Sequence, residues 1–282
     1  MQVCRNTTAF RDAIAGFRAS GDGVGLVTTM GALHAGHLAL VAAAKADHAR
    51  VVATIFVNPT QFGDRTDLDT YPRTEAQDLQ MLRAAGVDAV LIPEVAEIYP
   101  EGDETIVETT RLAHVLHGQV RPGHFRGVTT VVAKLLNIAQ PDAAYFGEKD
   151  YQQLQVIRRM VRDLHSPVRI VGVPTVREPD GLAMSSRNTR LTPEDRAAAA
   201  CLSRALDAAE AEAGWRVPID RIDQVLRTTI NREPRAALRA VDIVDPDSFD
   251  PVRGLLTRKV AIMISAEFGG VLLIDQREIG PD

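Results

Sequence analysis

The chain has 282 residues, of which 45% are hydrophobic and 24% charged, enough to bury a full core and consistent with two domains or one large one. A formal net charge of −5 argues against a nucleic-acid carrier, which would show a basic surplus. The two cysteines, Cys4 and Cys201, belong to no CxxC pair, so neither a disulfide framework nor a cysteine-rich zinc site is indicated and a reducing cytoplasm fits.

Arg5, Arg11, Asp12 and Arg18 interrupt the apolar positions of residues 1–20, which is not a signal-peptide pattern. No apolar run has the length of a membrane span, so a soluble, cytoplasmic protein is expected. Phe10, Ile14 and Phe17 recur at helical spacing and predict an amphipathic helix over 7–20. The β-branched run Val24–Val27 reads as a buried strand, and it leads through Thr28-Thr29-Met30-Gly31 into a helical pattern at Leu38, Leu40 and Val41. At that junction lies His34-Ala35-Gly36-His37. Two imidazoles three apart at a helix start share a face, and Gly36 removes a side chain that would block approach to the backbone. The unpaired N–H groups of a helix N-terminus suit phosphate. Three readings stay open: a helix cap beside a solvated histidine, a zinc pair, or a nucleotide site. The order strand, glycine turn, HxGH, helix shifts the balance toward the last.

Val51–Val57 is a near-continuous apolar run of the kind covered on both faces of a parallel sheet, stopped by Asn58-Pro59. Thr74 precedes a helix through Leu79 and Leu82 that closes at Gly86, and residues 88–93 form the next strand. The repeated strand–helix–strand order predicts an α/β fold with a Rossmann-like, doubly wound parallel sheet, in which ligands bind outside the carboxyl ends of the strands. Residues 94–122 suggest only a short helix near Leu112, Val115 and Leu116, with His114 and His117 as surface residues. The basic turn 121–127 opens a helix through Val131, Leu135 and Ile138, and reads equally as a phosphate contact or a solvated turn. A brief strand, Ala143–Phe146, runs into Gly147-Glu148-Lys149-Asp150; Lys149 there either neutralises a polyphosphate or pairs with its acidic neighbours. Gln153 falls one turn later.

After a strand at 168–173, residues 176–188 form a loop whose two serines and one arginine suit phosphate, or else a polar interdomain linker; a hinged lid satisfies both. Thr192-Pro193 opens a long alanine-rich helix, and another covers 218–230. Three strand-like stretches follow, 237–244, 259–268 and 271–274, the last two joined at Gly269-Gly270. This change of character places a domain limit near 175, giving residues 1–175 as a Rossmann-like domain and 176–282 as a smaller α+β domain. Trp215 reads as core or interdomain packing. No P-loop, dinucleotide fingerprint or G-x-S-x-G elbow is present.

Five stretches taken together carry a family likeness: T-M-G-A-L-H-A-G-H (29–37), F-V-N-P-T-Q-F (56–62), R-P-G-H-F-R-G-V (121–128), Y-F-G-E-K-D-Y-Q-Q (145–153) and A-M-S-S-R-N (183–188). In order and spacing, the chain resembles the pantoate–β-alanine ligases of the HxGH nucleotidyltransferase superfamily. The resemblance implies ligation of pantoate and β-alanine through a pantoyl adenylate, with release of AMP and pyrophosphate, a Mg²⁺ requirement, a C-terminal lid and a homodimer. It further implies ATP contacts at Met30, Gly31, His34, Gly36, His37, Gly147, Lys149, Asp150, Val176, Met184, Ser185, Ser186 and Arg187. Catalytic roles would fall to His34, His37, Lys149, Ser185, Ser186 and Arg187. Pantoate or β-alanine contacts would fall to Met30, Asn58, Gln61 and Gln153. The resemblance identifies no metal ligand and implies no nucleic-acid or membrane partner. One departure is Thr28, where the family pattern has Pro; loss of a fixed φ is expected to loosen the turn slightly. The rivals are another nucleotidyltransferase, a class I aminoacyl-tRNA synthetase, or a metal-binding structural protein.

Overall fold

The computed structural model describes residues 1–63 and 68–281. By its internal contacts the chain divides into two units: Met1–Gly147 with Gln152–Pro174, and Glu148–Tyr151 with Thr175–Asp282.

The first unit is built on six parallel strands, β1 (Gln2–Cys4), β2 (Val24–Thr29), β3 (Arg50–Ile55), β4 (Ala89–Leu91), β5 (Ala143–Gly147) and β6 (Arg169–Val173), in the order β1-β4-β3-β2-β5-β6. Strand side chains alternate between two cores, as a period of two requires. Val24, Leu26, Val52, Ala144 and Phe146 join one core. Val27, Val51, Ala53, Ala143 and Tyr145 join the other. Helices α1 (Thr7–Ala19), α4 (His124–Ala139) and α5 (Tyr151–Asp163, from Gln152 on) cover the first face. Helices α2 (Ala35–Asp47) and α3 (Glu75–Ala84) cover the second. The sheet is therefore doubly wound. Its order reverses between β2 and β5, which places the ligand crevice of such a sheet at the carboxyl ends of those two strands.

Local chemistry accounts for the element limits. Asn6 caps α1, its side-chain oxygen accepting from Ala9 N–H at 2.8 Å. Thr28 pairs with Thr54 inside the β2–β3 ladder, so the replacement of the family's Pro lies within the strand and not in the turn after it. The three-residue strand β1, pairing with β4, has no alternating pattern to announce it. Gln152, on α5, is buried. It donates to the carbonyls of Leu112 and Val115 at 3.0 and 2.8 Å and accepts from His117 N–H at 3.1 Å, which fixes the irregular stretch around 112–117.

The second unit packs α6 (Pro193–Ala199), α7 (Cys201–Glu212) and α8 (Ile219–Asn231) on an antiparallel sheet β7-β8-β9 (Ala237–Val244, Val260–Phe268, Val271–Ile279). Thr192 caps α6 and Pro193 occupies its first position, but the expected single long helix is broken at Ala200, whose N–H bonds to Ala198 O instead of continuing the ladder. The last strand runs to Ile279, five residues beyond the expected 271–274 limit, because Asp275 and Gln276 are buried within it. Trp215 is 61% exposed, so the packing role expected of it is not found. Both cysteines are free and buried. Burial pushes the Cys201 thiol up to about 11 and raises that of Cys4, which leaves neither as a nucleophile.

Helix α4 meets the turn Pro59–Gln61 so closely that Gly127 is obligatory. A Cβ there would lie 2.5 Å from the Thr60 carbonyl oxygen and 2.8 Å from Gln61 Cα, both backbone atoms that cannot swing aside. Gly127→Ala is expected to lower unfolding free energy by about 1–3 kcal/mol in a urea titration, and an unchanged midpoint would show that the contact is slack.

Candidate active site

Helix α2 begins at the carboxyl end of β2. His34 is its N-cap, in extended conformation, with Nδ1 accepting from Gly36 N–H at 3.1 Å. His37, one turn in, returns the bond: its Nδ1 accepts from His34 N–H at 3.3 Å. The two rings lie 4.2 Å apart between centroids. Because each Nδ1 is an acceptor, each neutral ring carries its proton on Nε2, the atom farther from the backbone. The cap and the nucleotide-site readings of HxGH are thus not alternatives; capping is what orients the pair. Gly36 is needed for a nearer reason than ligand approach, since a Cβ would come within 2.8 Å of the His34 ring.

A second loop joins this one from the end of β3. Gln61 donates from Nε2 to the Met30 sulfur at 3.0 Å and accepts from Asn58 Nδ2 at 3.1 Å. Asn58 is only 1% exposed. Its Nδ2 also donates to Gly127 O at 3.1 Å, while its Oδ1 accepts from Thr60 N–H, Thr60 Oγ1 and Tyr99 OH at 3.3, 3.0 and 2.9 Å. Both donors and the acceptor of this amide are engaged by the protein. Burial pushes the Tyr99 phenol up, keeping it a neutral donor. His124 Nδ1 sits 2.8 Å from Gln61 O, and Arg121 Nη1 is 3.2 Å from His124 Nε2. The basic turn 121–127 therefore braces the Gln61 loop. Gln153, in the first turn of α5, is half-buried.

Residues expected in the same site also occur in the second unit. Lys149 lies in the turn Glu148–Asp150, two residues beyond the end of β5; its side chain is 15% exposed, with Nζ 3.9 Å from Asp150 Oδ1. A Cβ at Gly147, just before it, would meet nothing within 4 Å. The stretch 176–184 is folded back as a small hairpin: Met184 N–H donates to Val176 O at 2.9 Å, and Arg177 bridges to Ala183. Arg177 clamps that hairpin to β9 through two bonds to the buried Asp275 carboxylate, at 2.7 and 2.9 Å. Ser185 then caps the turn Ser186–Arg190, its Oγ accepting from Arg187 N–H at 3.2 Å. Met184, Ser185, Ser186 and Arg187 are half-buried. The Lys149 turn and the Ser186–Arg190 turn both pack against β9. Tyr151 anchors the former, donating to Glu278 Oε1 at 2.6 Å and stacking on Phe249.

Sequence reasoning missed the supports of this site: Asp78, Tyr99, His124 and Gly127. Asp78 stands in the polar positions of α3 and carries no signature of burial. Gly127 and His124 lie in the basic turn 121–127, whose sequence fits a phosphate contact and a solvated turn equally well. Among the described residues no three of His, Cys, Asp and Glu gather as a metal cage.

Comparison with known proteins gives a consistent result. The family described as pantoate–β-alanine ligase matches residues 2–278. A pantothenate synthetase of Agrobacterium fabrum is 50% identical over 283 aligned positions, covering 99% of this chain and 96% of its own. One from Sinorhizobium medicae is also 50% identical, over 100% of this chain and 97% of its own. Among solved structures, pantothenate synthetase from Thermus thermophilus superposes with a TM-score of 0.94 at 44% identity, covering 100% of both chains. The pantoate–β-alanine ligase of Francisella tularensis, solved with β,γ-ATP and β-alanine, gives 0.80 at 34% identity over 98% and 97%. With its HxGH helix, Gln61 loop and full-length likeness, the chain belongs to the pantoate–β-alanine ligase family.

Proposed function

We propose that the protein condenses pantoate with β-alanine in two steps on one site, with ATP as the activating substrate. The observation that carries this reading is the reciprocally capped His34–His37 pair at the end of β2, tied through Met30 to Gln61, in a chain that matches the ligase family over nearly its whole length.

The first step sets a carboxylate against a polyanion, so charge must be cancelled and the reactants held in line. A pantoate oxygen attacks the α-phosphorus, the bond from that phosphorus to the bridging oxygen breaks, and pyrophosphate leaves. The two Nε2–H groups and the N–H groups of α2 suit the phosphates. The Lys149 ammonium offsets charge moving onto the pyrophosphate. Ser185, Ser186 and Arg187 contribute two hydroxyls and a planar guanidinium for its outer oxygens. Gly31, Gly36, Gly147, Asp150, Val176 and Met184 would line the nucleotide, Gly147 leaving room where a side chain would intrude. Gln61 and Gln153 would hold pantoate, with Asn58 acting through Gln61. Mg²⁺, when bound, would screen phosphate charge.

In the second step the β-alanine amine attacks the acyl carbon, AMP departs and the ammonium formed loses a proton. An acyl adenylate hydrolyses readily, so water must be kept out, the task we assign to residues 176–282 as a lid. Cytoplasmic location and a homodimer accord with this reading.

AMP release from ATP and pantoate, assayed with and without β-alanine, tests the function: rapid turnover is expected only with all three, and turnover independent of pantoate would contradict it. Lys149→Ala should slow pyrophosphate release at least roughly a hundredfold, the scale of losing one preorganised charge contact; near-normal turnover in that variant removes Lys149 from the mechanism.

A further inference from the structure

We propose that Asp78 is a positioning residue for the histidine pair: its buried carboxylate clamps the loop Gly31–Leu33 and so fixes how the chain enters α2. The inference rests on the adenylation reading above for its effect on rate, but not for its effect on the rings. Asp78 is 1% exposed. Its Oδ2 accepts from Ala32 N–H at 3.0 Å and its Oδ1 from Leu33 N–H at 2.9 Å, while Thr74 Oγ1 lies 3.2 Å from both oxygens. Leu33 immediately precedes the N-cap His34.

The loop needs such a clamp. Gly31 and Ala32 are consecutive residues at positive φ, +84° and 51°, a conformation that an alanine does not choose unaided. Successive turned N–H groups form a concavity that takes an anion, and here the anion is the protein's own. The fit is close: a Cβ on Gly31 would lie 3.1 Å from Asp78 Oδ2. A carboxylate accepts at both oxygens. An amide in its place would turn one NH₂ toward a backbone N–H or the Thr74 hydroxyl, and the loop would lose half its anchorage. A shift in Leu33 passes directly to His34, whose ring must keep its bond to Gly36 N–H to hold its proton on Nε2.

The test uses the full chain with Asp78→Asn, read by thermal unfolding, single-turnover pyrophosphate release and ¹⁵N spectra of the histidine rings. At temperatures where the variant is folded, release should slow by roughly ten- to a hundredfold, the effect of displacing a catalytic group by about an ångström. The His34 signals should move from the Nε2–H tautomer to a mixture. Unchanged rate and tautomer, or a rate falling only with the unfolded fraction, would overturn the proposal. Should Asp78→Asn not fold, Thr74→Val removes one donor and keeps the carboxylate: a smaller shift in the same ring signals supports the clamp, and an unchanged spectrum and rate overturns it. A wild-type enzyme inactive toward pantoate and β-alanine would sink the adenylation reading alone, leaving the ring spectra to decide on Asp78.

Discussion

The site is organised by a helix that cannot satisfy its own first N–H groups. In this chain those orphan donors are met by imidazoles in place of the usual serine, threonine or aspartate. His34 Nδ1 takes Gly36 N–H and His37 Nδ1 takes His34 N–H. One set of bonds thereby settles two matters at once: where α2 starts, and which nitrogen of each neutral ring carries the proton. A capping serine would start the helix as well, but its acceptor and its single O–H share one atom, whereas the imidazole puts them on opposite sides of a ring.

Everything nearby serves to hold that arrangement against the strand ends. Asp78 fixes the loop before the cap. Asn58 spends its whole amide on Gln61, Gly127, Thr60 and Tyr99, so that Gln61 reaches Met30 at a defined place. His124 and Gly127 seat the same turn on α4. In the second unit the logic repeats: Arg177 and Asp275 hold the hairpin ahead of Ser185, and Tyr151 with Glu278 and Phe249 holds the turn carrying Lys149. Among the residues expected to touch substrate, Gln61 rests on the buried Asn58, and the hairpin before Ser185 rests on the buried Asp275.

The parallel sheet was legible because its strands are apolar runs separated by helical periodicity, and α1, β2, β3 and β5 fall within a residue or two of their expected limits. The second unit's three strands and their Gly269-Gly270 turn were likewise marked by composition. What escaped was short or contextual. β1 has three residues and no pattern. The break at Ala200 lies in an alanine run that favours unbroken helix. Trp215 is exposed although indole is usually buried. The histidines, Lys149 and the serine–arginine loop could be named because motifs spell them out, while Asp78 could not, since a carboxylate in a helix reads as surface until its partners are seen. Asn58 shows the same limit: its residue type suggests a ligand, and only the geometry shows it fully engaged by its own fold.

The division of labour within each imidazole can be examined by one substitution. Asparagine places a side-chain oxygen near the position of histidine Nδ1 and has nothing at Nε2. His37→Asn should therefore keep the bond to His34 N–H and the thermal midpoint of the parent. Its single-turnover release of pyrophosphate from ATP and pantoate should fall by about a hundredfold or more, the range for losing a positioned proton donor. Release at the parent rate in a fully folded variant would contradict the account.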